Sequence, residues 1–212
     1  MRQLICSFSI ALMALFLSGC SSNSDERTVF EATILSNQPG DGDIAYDPVR
    51  QRFTITHAPH TLYFGIDDLH PNYPEYRAFM NFPLDGSSGD DVVPIGARIV
   101  SATLEVFIDN VSFATIIPTL IDLVSYPVYG LRAEDFDSRP FLTQGTNFFA
   151  SDYGRYVSID VTHLMQEAQR LRLTDFQVRL LLDPSSEFGL VGIENQPTVS
   201  ITAPLLIVAY TR

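Results

Sequence analysis

From residue 29 onward, β-branched and aromatic runs are separated by clusters of Gly, Pro, Asp, Asn and Ser, the spacing of short strands punctuated by turns. In SATLEVFID, Ala102, Leu104, Val106 and Ile108 fall on one side of a two-residue period, against Thr103, Glu105, Phe107 and Asp109. FQVRLLLD sets Phe176, Val178, Leu180 and Leu182 against Gln177, Arg179, Leu181 and Asp183 in the same way, so one face of each strand is core. Strands are predicted over 29–35, 52–57, 61–66, 76–84, 98–109, 115–126, 155–160, 176–183, 189–194 and 204–210. One segment breaks the period: in DVTHLMQEAQRL, Val161, Leu164, Met165, Ala168 and Leu171 recur at helical spacing, with Asp160 or Thr162 available as N-cap. The expectation is an all-β sandwich or barrel with one short helix near residues 161–171, closing one end.

The first twenty residues follow a different rule. Arg2 precedes an apolar run from Leu4 to Leu17, and Ser18 and Gly19 lead into Cys20. The run is shorter than the ~20 residues that span a bilayer and reads as a secretory signal. Leu17-Ser18-Gly19-Cys20 resembles the lipobox of bacterial lipoproteins, which implies removal of residues 1–19, lipidation of Cys20 and attachment to an envelope membrane. The alternative, an ordinary signal with an incidental cysteine, would more commonly end in an A-x-A-like site. SSNSDER, completing residues 20–27, is polar and reads as a tether, so 28–212 is expected to form a single domain. Serine after the cysteine resembles the outer-membrane sorting signal of bacteria with two membranes.

This processing removes Cys6 and commits Cys20 to lipid, leaving no thiol for a disulfide or a thiolate metal site. The chain carries a formal charge of −12, all of its cationic side chains except histidine are arginine, and it holds no lysine. Nonspecific nucleic-acid binding is disfavoured by that sign, lysine chemistry is excluded, and the guanidinium groups suit planar contacts with carboxylates.

YRAFMNFPLDG, a loop, and then VVPIGARIVSATLEVFI resemble the opening of the DNRLRE-type domain, R-a-φ-φ-x-F-d-l followed by P-x-G-a-x-I-x-x-A-x-L-x-φ, with φ apolar. AEDFD, VSIDVTHLMQEA and PLLIVAYT are similar to that family's later acidic, D-V-T and terminal-strand elements, in family order from about Tyr76 to Thr211. The resemblance implies a jelly-roll-like antiparallel β-sandwich related to carbohydrate-binding module family 96, some members of which bind alginate-type polysaccharides. It leaves ligand and role to the site itself.

Three groups of residues could carry function. If Ala78, Met80 and Phe82 face the core, then Arg77, Phe79 and Asn81 face outward. With Glu105 and Phe107, and with Gln177 and Arg179, they would form a face of rings, amides and guanidinium groups suited to sugars and uronates. The competing reading makes the arginines structural partners of acids, with the phenylalanines covered by loops. Tyr126, Tyr129, Arg132, Tyr153, Arg155 and Tyr156 fall in or beside loops, as contact residues or as loop packing. Acidic turns holding Asp41, Asp43, Asp90 and Asp91 offer oxygen ligands for a structural Ca2+, although the EF-hand spacing is missing and the same residues form turns for conformational reasons. No G-x-S-x-G, cysteine nucleophile or phosphate loop is present. The expected function is a noncatalytic polysaccharide-binding module, with acidic glycans a candidate class. The alternatives are a structural or adhesive lipoprotein contacting protein, and a polysaccharide lyase or hydrolase.

Overall fold

The computed structural model describes residues 28–87, 91–196 and 202–212. The expected signal peptide, Cys20, the expected tether and Asp90 lie outside the described residues. Strands β1 (Phe30–Leu35), β2 (Gly42–Asp47), β3 (Arg52–His57), β4 (Thr61–Ile66), β5 (Glu75–Pro83), β6 (Arg98–Ser112), β7 (Ile116–Val124), β8 (Leu142–Phe149) and β9 (Arg155–Asp160) precede the helix α1 (Thr162–Leu171). Strands β10 (Asp175–Leu182), β11 (Gly189–Glu194) and β12 (Leu205–Thr211) follow it.

All pairings are antiparallel. One layer runs β3-β2-β5-β10-β7-β8. In the other, β6 carries β9 on one side; β12 and β11 follow one another along its opposite side, backed by β1 and β4 respectively. Strand β4 joins the layers, because Gly65 and Ile66 pair with Tyr76 and Glu75 of β5. Among the described residues the fold is therefore an all-β, jelly-roll-like sandwich with one α-helix.

The core fills the space between the layers. Ala102, Leu104, Val106 and Ile108 meet Ala78, Met80, Phe82, Phe176, Val178 and Leu180, and the Phe64 and Phe148 rings lie 5.4 Å apart. Helix α1 buries Leu164, Met165 and Ala168 against this core. Asp160 supports its start by accepting the Thr162 N–H at 2.9 Å, and Arg172 ends it at φ 57° with Leu173 N–H donating to the Ala168 carbonyl.

A second, smaller cluster lies on the outer side of the first layer, where Ile44, Phe79, Val124, Tyr126, Leu131 and Phe136 pack together. Hairpin β2–β3 and the connection 125–141 form this cover. Strands β2 and β8 escape the sequence pattern. GDIAYD contains a glycine and two aspartates, and LTQGTNFF is an edge strand whose polar residues face water.

The joint between layers depends on backbone approach at one residue. Gly65 has φ +110°, and a Cβ added there would sit 2.0 Å from the Gly189 carbonyl oxygen. Gly65→Ala is therefore expected to cost on the order of 3 kcal/mol, read as a lower urea midpoint with the denaturant slope unchanged.

Candidate functional site

Strands β5 and β10 are neighbours, as the sandwich-face expectation requires: Arg179 lies opposite Phe79, and Gln177 opposite Asn81. That shared face is not open, however. Phe79 is part of the second cluster, Gln177 and Arg179 are buried, and Asn81 is buried against Gly40. Arg179 donates to Asp122 through Nε at 3.1 Å and through Nη2, and its Nη1 reaches the carbonyls of Asp135 and Phe136 and the Ser138 hydroxyl. Gln177 brackets the Tyr126 backbone, its Oε1 accepting the N–H at 2.9 Å and its Nε2 donating to the carbonyl at 3.0 Å. Arg77 donates to Glu75 and Asp137, each at 2.8 Å, and to the Phe136 carbonyl, with its guanidinium 3.8 Å from the Phe136 ring centre. These groups bind the 125–141 connection to the sheet, which corrects the expectation of an outward, open face.

Glu105 and Phe107 belong to the other layer. Ser158 donates to Glu105 at 3.2 Å, and Phe107 meets Tyr156 edge-on at 5.2 Å. The loop aromatics also separate. Tyr126 is buried in the cover and Tyr129 stands fully exposed near Arg132, whereas Tyr153, Arg155 and Tyr156 are exposed at β9.

The calcium candidates are likewise apart. Asp41 and Asp43 are buried near β5, while Asp91 accepts the Thr33 N–H at 3.0 Å. Among the described residues no group of three or more His, Cys, Asp or Glu is arranged to hold a metal ion. Burial pushes Asp41 up to about 7, against the Asn81 N–H bond and the nearby Ser36 and Asn195 side chains that pull it down. Burial also pushes Asp43 up to about 6, opposed by Thr56 and the Tyr63 N–H.

A different site lies where β4 passes between layers. Tyr63, across from Gly192 of β11, and Asn110 of β6, across the other side of Gly192, form one row on the outer face. A Cβ on Gly192 would approach Asn110 and Tyr63 at 3.0 and 3.1 Å, so the glycine forms a floor between them. The register shift between Gly192 and Ile193 makes Asp109 the extra residue of a bulge, and both Asp109 and Asn110 are half-exposed there. Tyr76 of β5 completes the wall, its ring 6.1 Å from that of Tyr63 at 61°.

Tyr63, Tyr76 and Asn110, together with Asp67, Leu69, Ser112, Phe113 and Leu190, line a groove of about 380 Å3. Ser112 donates to Asn110 Oδ1 at 3.0 Å, leaving the Asn110 amide NH2 as a donor, and Thr61 donates to Asp109 at 2.8 Å. Phe113 is held at φ 71°, a strained conformation for a bulky side chain, at the rim. Both tyrosine hydroxyls are pushed above the usual phenol range, first by burial and then by Asp109 and Asp43 at Tyr63, and by Asp67 and Asp43 at Tyr76. They remain neutral hydroxyls that can donate or accept.

Alternation in TLYFGI already sets Thr61 and Tyr63 opposite Leu62 and Phe64, and so marks Tyr63 as outward. Its company could not be read, because it depends on the order β4–β11–β6 and on the bulge. A third feature is a groove of about 510 Å3 between β8 and α1, lined by Leu142, Thr143, Gln144, His163, Leu164, Gln166, Glu167 and Arg170. Compared with protein-family models and with curated proteins, the chain finds no match.

Proposed function

We propose that the protein is a lipid-anchored envelope lipoprotein whose sandwich acts as a noncatalytic glycan-binding module, with the Tyr63–Tyr76 groove as the binding site. The observation that carries this reading is the pairing of two tyrosine rings with Asn110 and Ser112 across a glycine floor. Rings stack on the C–H faces of sugars, and the amide and hydroxyls bond sugar hydroxyls. The resemblance to DNRLRE-type domains supports the same class of ligand. The Cys20 lipobox supports membrane attachment, at the outer membrane where the organism has two.

Calorimetry with a panel of neutral, amine-bearing and acidic oligosaccharides tests the site. At least one ligand is expected to bind, with Tyr63→Ala and Tyr76→Ala each weakening it about 10- to 100-fold. Retention of full affinity by both variants would move the site elsewhere. For the anchor, Cys20→Ser is expected to abolish incorporation of labelled palmitate and to release the protein from membranes; unchanged labelling contradicts it.

A second reading, contact with a protein partner, is favoured by β8. Among the described residues this edge strand pairs only with β7; it carries no charge and exposes Leu142 and Phe149 beside Ile116 and Phe141. Introducing Thr146→Lys should eliminate any partner recovered by crosslinking in envelopes, and an unchanged crosslinking pattern would rule that edge out.

A further inference from the structure

The groove's charge narrows its ligand further. Among the described residues lining it none is Arg or His, whereas Asp67 is in the lining itself. Asp109 sits on the bulge beside Tyr63, held by the Thr61 hydroxyl. Asp43 lies beneath, accepting the Tyr63 N–H at 3.3 Å. None of these three carboxylates is ion-paired among the described residues, although six such pairs occur elsewhere. Unpaired carboxylates around aromatic faces form a site of negative potential. A ring face attracts a cation through its quadrupole, and a partly desolvated carboxylate adds a directional partner.

The arginines that would receive a uronate are committed elsewhere. Arg77 is bound to Glu75, Asp137 and the Phe136 carbonyl, and Arg179 to Asp122 and the 125–141 backbone. A uronate in the groove would thus meet the Asp67 carboxylate in the lining, with Asp109 beside it, and no guanidinium. A protonated amine on a sugar would meet the opposite: charge complementarity, two tyrosine rings, and Phe113 at the rim.

Resting on the glycan-binding reading above, we infer that the groove takes an amine-bearing glycan, a polymer with unacetylated glucosamine-type units, in preference to its N-acetylated or uronate counterpart. The Asn110 amide, Ser112 and the tyrosine hydroxyls address the sugar hydroxyls, while Asp67 and Asp109 flank the amine.

The test uses matched probes, hexamers of β-1,4-linked glucosamine and of N-acetylglucosamine together with a uronate hexamer. Each is titrated calorimetrically into the full chain in a neutral detergent, at a pH where the amines are protonated. The glucosamine hexamer is expected to bind at least about tenfold more tightly than the N-acetylated one, because a cation–π contact and a close carboxylate together are worth roughly that factor. Its affinity should fall with added salt, and Asp67→Asn should erase most of the preference, read as the ratio of the glucosamine to the N-acetylglucosamine affinity. Circular dichroism of Asp67→Asn checks that the fold is intact, and Asp109→Asn gives a second, independent reading of the same charge. Equal or tighter binding of the N-acetylated or uronate hexamer overturns this inference and leaves glycan binding standing. Binding by none of the three, nor by the wider panel, overturns both.

Discussion

Arg179→Met is expected to destabilise the protein by about 3–5 kcal/mol, because it leaves the Asp122 carboxylate buried and unpaired. The two side chains are 4% and 5% exposed, and Arg179 also ties down the Asp135 and Phe136 carbonyls. The methionine keeps most of the apolar stem, so the loss reports the guanidinium rather than a cavity. The effect should be recovered largely by Asp122→Leu in the same chain, since removing both charges also removes the desolvation cost. Urea denaturation of the single and double variants measures it. A loss under about 1 kcal/mol for Arg179→Met would contradict the role assigned to this pair.

The second large effect is a gain. Asp41 is buried, with its folded pKa raised to about 7 from 3.8 chiefly by burial. The native state therefore holds a proton that the unfolded chain releases at lower pH. Stability from this group is fully present below about pH 4 and is lost as pH rises towards 7, because the native state binds more protons across that window. Asp43, raised to about 6, acts in the same direction over a narrower window.

Asp41→Asn mimics the protonated acid and keeps an oxygen to accept the Asn81 N–H, a bond of 2.8 Å. It is expected to stabilise the protein at about pH 8 by an amount on the order of 2–4 kcal/mol, to change little near pH 4, and to flatten the pH dependence between them. Thermal melts across that range provide the measurement, and a loss of stability at pH 8 would refute the assignment. Acids such as Asp160 and Glu167, lowered by their hydrogen-bond partners, oppose this trend only at more acidic pH.

Strands β6 and β4 were legible because each has one buried and one wetted side, and β10 because its sequence obeys the two-residue period. Helix α1 was legible from its own period. Strand β10 also shows where such reading stops. Its second face, Gln177, Arg179 and Leu181, looks polar enough for solvent yet is buried, because a distant segment supplies Asp122, the Tyr126 backbone and the Phe136 carbonyl as partners. Polar composition signals a need for hydrogen bonds, which protein groups meet here as well as water would.

The groove was hidden for a related reason. Tyr63, Tyr76, Asn110 and Ser112 come from three strands whose adjacency arises where β4 passes between layers, and the bulge at Asp109 shifts the register from plain alternation. Glycines 65 and 192 were the available signal, since glycine within a strand marks a close backbone approach or an open surface.

Glycan binding at the Tyr63–Tyr76 groove is read most directly from the NMR spectrum of the protein with specifically labelled tyrosine rings, titrated with the tightest-binding oligosaccharide from the panel. The Tyr63 and Tyr76 resonances are expected to shift progressively and saturate together, while those of Tyr129 and Tyr153 stay in place. Saturating shifts at Tyr129 or Tyr153, with Tyr63 and Tyr76 unmoved, would contradict it.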